Sequence, residues 1–238
     1  MNSLLKLIKG EIVRLIKYKI LFFGMLVSVI WLLIIAFQTK EQAQSIIPIL
    51  IVTDSGMMGI ILLGASFYFE KQENTVKSLL VSPVSLIQVL IAKIVSAIVS
   101  ALVSLTIVVG FAIIYHGIEV QIIKLIFYAL AIVISHTAIG YIIILKNKDF
   151  LSMLVVFSGV ILLFYVPTLL KSLEILTSDY EILALLSPSY SGELLIRSSF
   201  NEIDWVKQLL AYIYLMVLGI GIYIGYVYKK FKKVAIEG

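Results

Sequence analysis

The chain has 238 residues, 61% of them apolar and only 14% charged, with a formal net charge of +5 and a mean hydropathy of +1.11. A water-soluble domain would carry about a quarter of its residues charged, so that class is excluded. Cysteine is absent, which rules out a disulfide framework. The basic balance does not point to nucleic acid, because the cations gather at the ends of apolar segments.

Residues 1–19 read as an amphipathic interfacial helix. Leu4, Leu5, Ile8, Ile12, Leu15 and Ile16 recur at helical spacing, and Lys6, Lys9, Arg14 and Lys17 take the opposite arc. The helix is either a topology anchor or a partner contact. It lacks the short apolar core and small-residue site of a cleaved signal.

Residues 20–238 form one transmembrane domain. A hydrocarbon core about 30 Å thick takes about 20 apolar residues in a helix. Six segments meet that requirement: 20–37, 46–69, 94–115, 123–145, 150–170 and 209–228. Lipid cannot satisfy free backbone groups, and these runs are too long for barrel strands. The predicted fold is an all-α polytopic membrane protein with six transmembrane helices. An even number of spans puts both termini on one side. Fourteen of the 19 Lys and Arg lie on that side, so the termini, the 70–93 loop and the 146–149 turn are expected in the cytoplasm.

Span two carries Thr53-Asp54-Ser55-Gly56, and Asp54 has two readings. Thr, Asp and Ser are good N-cap residues and Pro48 precedes them, which favours a helix starting here after a short lead-in at 46–52. Otherwise Asp54 is an ionisable group inside the bilayer, as is His136 on span four, and such groups are usually functional. His136 is expected to face other helices.

The loop after span two is the most polar stretch of the first half. Residues 70–81 suit a helix, Ser82-Pro83 stops it, and Ser85 can cap the next. Val76, Leu79 and Leu80 share one face, and Glu70, Glu73 and Lys77 another, with Glu73 and Lys77 at i,i+4 spacing. The result is a cytosolic knuckle with an apolar tip, fit to seat in a groove. The alternative is a solvated connector.

Span three repeats Ser96, Ser100 and Ser104 beside Ala97 and Ala101, and span six carries Gly221 and Gly225. Small residues at this spacing let helices approach closely, within one subunit first and between copies second. Spans four and five are joined only by residues 146–149, a tight hairpin. In the extracellular region 168–208, Ser178 through Glu181 fits a capping box, and Ser187-Pro188 an N-cap with proline at the first helical position. Two short helices are expected there.

Glu70-Lys71 followed by Ser78 through Val84, with Lys93 before a serine- and alanine-rich span, resembles the ABC-2-type exporter permeases. Residues 54–64 and 70–84 resemble the fluoroquinolone-export permease branch, and the likeness of layout covers essentially the whole chain. The resemblance implies a bacterial plasma-membrane permease whose loop is a coupling helix touching a separate ATP-binding subunit. Glu70, Glu73, Lys77, Leu79, Leu80 and Pro83 would make that contact. It further implies a dimer with a second, identical or similar permease, and ATP and Mg held by the partner rather than by this chain. The sequence contains no phosphate-binding G-x-x-x-x-G-K-[ST] loop, Cys/His metal cluster or nucleophile elbow, so it is not itself expected to be an enzyme. Met57, Met58, Phe67, Tyr68, Phe157, Phe164 and Tyr165 offer a soft aromatic lining for an apolar or amphipathic substrate, such as a drug, peptide or lipid. The same residues equally suit lipid contact or packing. An ion-coupled carrier and a non-transporting immunity or sensor protein are the rival classes.

Overall fold

A computed structural model describes residues 3–73, 75, 84–172, 175 and 181–237. Its described residues are helical and contain no strand. In chain order they form α1 (Ser3–Lys17), α2 (Ile20–Ala36), α3 (Lys40–Val52), a π-helical turn (Thr53–Met58), α4 (Gly59–Gln72) and α5 (Leu86–His116). These are followed by α6 (Ile122–Lys146), α7 (Phe150–Ser172), α8 (Glu181–Ala184), α9 (Pro188–Arg197) and α10 (Trp205–Ile222). A second π-helical turn (Tyr223–Val227) leads to α11 (Tyr228–Glu237).

Among the described residues, five helices are long and apolar enough to cross a membrane: Lys40–Gln72, Leu86–His116, Ile122–Lys146, Phe150–Lys171 and Trp205–Lys233. A sixth is reached if α1 and α2, bent by 63° at their junction, count as one span. At that bend Lys19 adopts a left-handed φ of 57°, a conformation that costs a non-glycine residue about 1–2 kcal/mol. The outward faces of α2 and α7 are apolar. Phe22, Phe23 and Leu33 on the first, and Leu151, Val155 and Leu163 on the second, are exposed as lipid-facing residues must be.

The second span is the main departure from expectation. Asp54 does not cap it. Thr39 does: its hydroxyl accepts from the Gln42 N–H while the Gln42 side chain accepts from the Thr39 N–H, a reciprocal capping box. From Lys40 the chain stays helical to Gln72, so Pro48 lies inside a helix and Asp54 lies in its π-helical middle. The local cap chemistry of Thr53-Asp54-Ser55 loses to a complete cap further upstream.

Helix α6 is the hub. It packs on the π turns of both the second and the last span, on α4, α5, α9 and α10, and most of its residues after Ser135 are buried. Gly219 lets α10 close on it, with an added Cβ standing only 3.0 Å from the Ser135 backbone. Among the described residues, no atom outside their own helix backbone lies within 4 Å of where a Cβ would stand on Gly221 or Gly225. Within the chain, the close approach expected at those two therefore falls at Gly219. The α6–α7 turn is tight, with Asp149 accepting from the Ser152 N–H and hydroxyl at 2.9 and 3.0 Å. Those bonds hold its carboxyl below the usual range. Between α7 and α10, Ser187 caps α9 by accepting from the Tyr190 N–H, with Pro188 at the first position. Helix α9 is buried against α3, α6, α7 and α10. The residues 178–180 of the proposed capping box lie outside the described ones.

Candidate functional site: a polar cleft along the fifth helix

Helix α5 starts at Ser85, which accepts from the Gln88 N–H at 3.2 Å, and runs back beside α1, α2 and α4. Lys93, Ser96, Ser100 and Ser104 fall on one stripe of it, at helical spacing. That stripe, with Glu11, Gly24, Asp54, Ser55 and Ser66, lines a narrow cleft of about 40 Å³. A space of that size holds only waters or a small ion, given about 10–15 Å³ for each water. The serines do pack helices closely within one chain, but their hydroxyls also line a polar cleft.

At one end of the cleft sits a four-charge cluster. Lys93 Nζ lies 2.6 Å from both carboxylate oxygens of Glu70 and 3.3 Å from Glu11 Oε1. Arg14 pairs with Glu11 and stands 3.8 Å from Glu70, and Ser66 donates to Glu70 at 3.3 Å. Two acids face two bases, so the buried charge sums to zero. Glu70 is 0% exposed, which takes it out of the surface contact expected for it: its side chain points into the bundle because Lys93 is there to neutralise it. Arg14 likewise turns inward, away from the solvated arc of α1.

Glu73 stands just outside this cluster at the base of the loop. It accepts from Tyr18 at 2.6 Å and Lys17 at 3.2 Å, and the two bonds, Tyr18's first, hold its carboxyl below the ordinary range. Burial, then the bond to Glu73, pushes the Tyr18 hydroxyl up to about 12. The amphipathic helix is thus pinned to the root of the loop. Lys77, Leu79, Leu80 and Pro83 lie outside the described residues.

At the other end, about 16 Å away at 1.5 Å per residue along α5, is Asp54. Its Oδ2 is hydrogen-bonded to Ser28 Oγ at 2.8 Å and to Ser104 Oγ, and the two hydroxyls stand 2.6 Å from each other. Asp54 is 6% exposed. Two residues on from Asp54, His136 fills the space against Gly56, where a Cβ would lie 2.8 Å from the ring. His136 Nδ1 bonds the Ile132 carbonyl at 2.9 Å, which requires its proton there, and Nε2 has no partner among the described residues. His136 thus faces other helices, as expected.

The proposed substrate lining is divided. Met57, Phe67, Tyr68 and Phe157 are buried in a core with Ile60, Tyr141, Met153 and Phe231, and Phe164 and Tyr165 pack against it. Met58 is half-buried. Tyr68 donates to the Ile144 and Asn147 carbonyls, closing the end of α6, and Tyr165 bonds Thr53. These contacts are structural within the chain. A larger pocket of about 430 Å³ opens at the far end, among α3, α7, α9 and α10. Glu181 there accepts from Lys207 at 2.6 Å, Tyr190 at 3.0 Å and Lys171 at 3.2 Å, which hold its carboxyl below its ordinary value, Lys207's bond most of all.

Sequence reasoning missed Ser28 and the Glu70–Lys93 and Asp54–Ser104 pairings. The available signal was the serine stripe with Lys93 at its end: a polar face on a span calls for polar partners opposite. No protein-family model matches this chain, and no curated protein matches it either. It is a helical protein with five, or up to six, helices fit to cross a membrane.

Proposed function

We propose that the chain is the permease subunit of an ATP-driven exporter of the ABC-2 type, with six spans and both termini in the cytoplasm of a bacterial plasma membrane. It pairs with a second permease and with a separate ATP-binding subunit that holds ATP and Mg. Closure of the partner ATPases pushes on the 70–84 loop, tilts the second and third spans, and changes the side to which a drug, peptide or lipid has access. A ligand or partner drives such a switch only through different contacts in its two states.

The observation that carries this reading is how the loop is rooted. Both of its flanks are tied down: Glu73 to Lys17 and Tyr18 at the start, and Lys93 to Glu70 after its return. A loop that only connects two spans needs neither tie. A loop that transmits force needs both, because a slack root would absorb the push. The resemblance over residues 70–84 and the cationic bias of that side support the same reading.

The experiment is reconstitution in nanodiscs with the ATP-binding subunit. Pro83→Leu, or Glu73→Lys with Lys77→Glu, should lower substrate-stimulated ATP hydrolysis while leaving membrane insertion intact. Unchanged coupling in both variants would reduce the loop to a connector. One observation favours a second reading, an ion-coupled carrier: Asp54 lies inside a span rather than capping it. Uphill uptake driven by a pH gradient without ATP, lost in Asp54→Asn, would establish that alternative.

A further inference from the structure

Asp54, Ser28 and Ser104 make a triangle of oxygens in which every edge is a hydrogen bond. Each edge needs its own proton. The two hydroxyls bring two, and an ionised carboxylate, being an acceptor only, brings none. The Gly24 carbonyl, 3.1 Å from Ser28 Oγ, is a further acceptor competing for the same supply. With Asp54 ionised, two protons would serve three edges, and one pair of oxygens, either the two hydroxyls at 2.6 Å or a hydroxyl and the carboxylate, would face each other with no proton between them. A proton on Oδ2 closes the ring: Asp54 donates to Ser28, Ser28 to Ser104, and Ser104 back to Asp54.

Charge gives the same answer. None of the ion pairs among the described residues includes Asp54. The titratable groups that line its cleft from α1 and α5 are Glu11 and Lys93, with Glu70 on α4 and Arg14 paired to them at the far mouth. His136 reaches in from α6 beside Gly56, and Tyr165 from α7 bonds the adjacent Thr53. An ionised carboxylate held in apolar surroundings without a counter-charge is expensive, and taking up a proton is the usual way out. The oxygens also stand too close together to admit a cation at their centre.

A second, separate feature suits the cleft to water. Ser55 lines it, is 3% exposed, and its hydroxyl has no partner among the described residues. A buried hydroxyl without a partner is costly unless water meets it. The carboxyl also sits in a π-helical turn, a local widening that recurs at functional sites.

We propose that Asp54 is a proton-binding site: its carboxyl holds a proton in this conformation and exchanges it through the serine-lined cleft with the Glu70–Lys93 end. On release the proton leaves the carboxyl oxygen for water in the cleft, and passes Ser100 and Ser96 toward the mouth. Ser28 and Ser104 keep their own protons and turn both hydroxyls onto the carboxylate that remains. The site goes beyond the permease reading and does not depend on what powers the molecule.

The test is infrared difference spectroscopy on the purified full-length protein in nanodiscs at neutral pH. Wild type should show the C=O stretch of a protonated carboxyl that shifts in D2O and is missing in Asp54→Asn. Ser104→Ala, which removes one ring member, should keep the band and move it. Ser100→Leu, which fills the cleft, should keep the band and slow its D2O shift. A spectrum identical in wild type and Asp54→Asn would overturn protonation. So would thermal stabilisation by Na+ over choline that Asp54→Asn abolishes, since the carboxylate would then be ionised around a cation. An unaltered D2O shift in Ser100→Leu would overturn the path.

Discussion

The cleft along α5 ends in two buried polar sites that solve one problem differently. At the Lys93 end, Glu70 and Glu11 are neutralised by Lys93 and Arg14, two charges against two. At the Ser104 end, Asp54 has only hydroxyls for company. Balanced charge is a fixed solution: the pairs hold as long as the helices stay in place. A carboxyl among hydroxyls can be neutral or charged with little movement, because Ser28 and Ser104 rotate to suit either state. The first site ties α1, α4 and α5 together. The second is suited to change.

The strongest way to break this contrast is to unbalance the charged end. Lys93→Met leaves two buried carboxylates with only Arg14 between them, and should cost about 3–5 kcal/mol, seen as a large drop in thermal midpoint in detergent. Replacing both Glu70 and Lys93 with leucine should recover most of that loss, since a whole pair is exchanged for apolar packing. The next effect comes from geometry. Gly56→Ala would set a methyl 2.8 Å from the enclosed His136 ring, and overpacking of this kind costs about 1–3 kcal/mol. It should also shift the π turn and loosen the Asp54 triangle.

Asp54 itself sharpens the comparison. Asp54→Asn keeps a donor and an acceptor in the ring and should change stability by less than about 1 kcal/mol. Asp54→Leu should cost about 1–3 kcal/mol, because it takes from the buried Ser28 and Ser104 hydroxyls the polar partner they share. Equal large losses in both would make the triangle behave like the charged end. The smallest effect is expected where charges meet water, at Glu181. Its carboxyl lies below its ordinary value of 4.5, so its bonds to Lys207 and Lys171 contribute fully above that pH. That contribution is lost as pH falls through the lowered folded value. Half-exposed pairs are worth only about 0.2–1 kcal/mol, so Glu181→Gln should slightly flatten the acid limb of a stability–pH curve and leave the neutral midpoint nearly unmoved.

Much of the frame was legible before the structure. Five of the six apolar segments, the 146–149 hairpin and the caps at Ser85 and Ser187 all depend on residues within a few positions of one another, and these are present; the first segment reaches span length only together with α1. The failures share a cause. Asp54 looked like a cap because caps are judged from neighbours, and its real partners are 26 and 50 residues away. Glu70 looked solvated because its neutralising lysine is 23 residues on, across the loop. Tyr68 and Phe157 had two readings, because an aromatic residue in a span suits lumen, lipid and core alike, and both are buried in the core of this chain. Helical period shows which residues share a face, not what lies opposite.

The central claim is that the 70–84 loop is seated on a separate ATPase. Because the chain has no cysteine, Leu79→Cys introduces a single labelling site. In the reconstituted complex, the account predicts that this thiol cross-links to the ATP-binding subunit and resists a water-soluble maleimide until that subunit is removed. Full labelling in the assembled complex, with no cross-link, would contradict it.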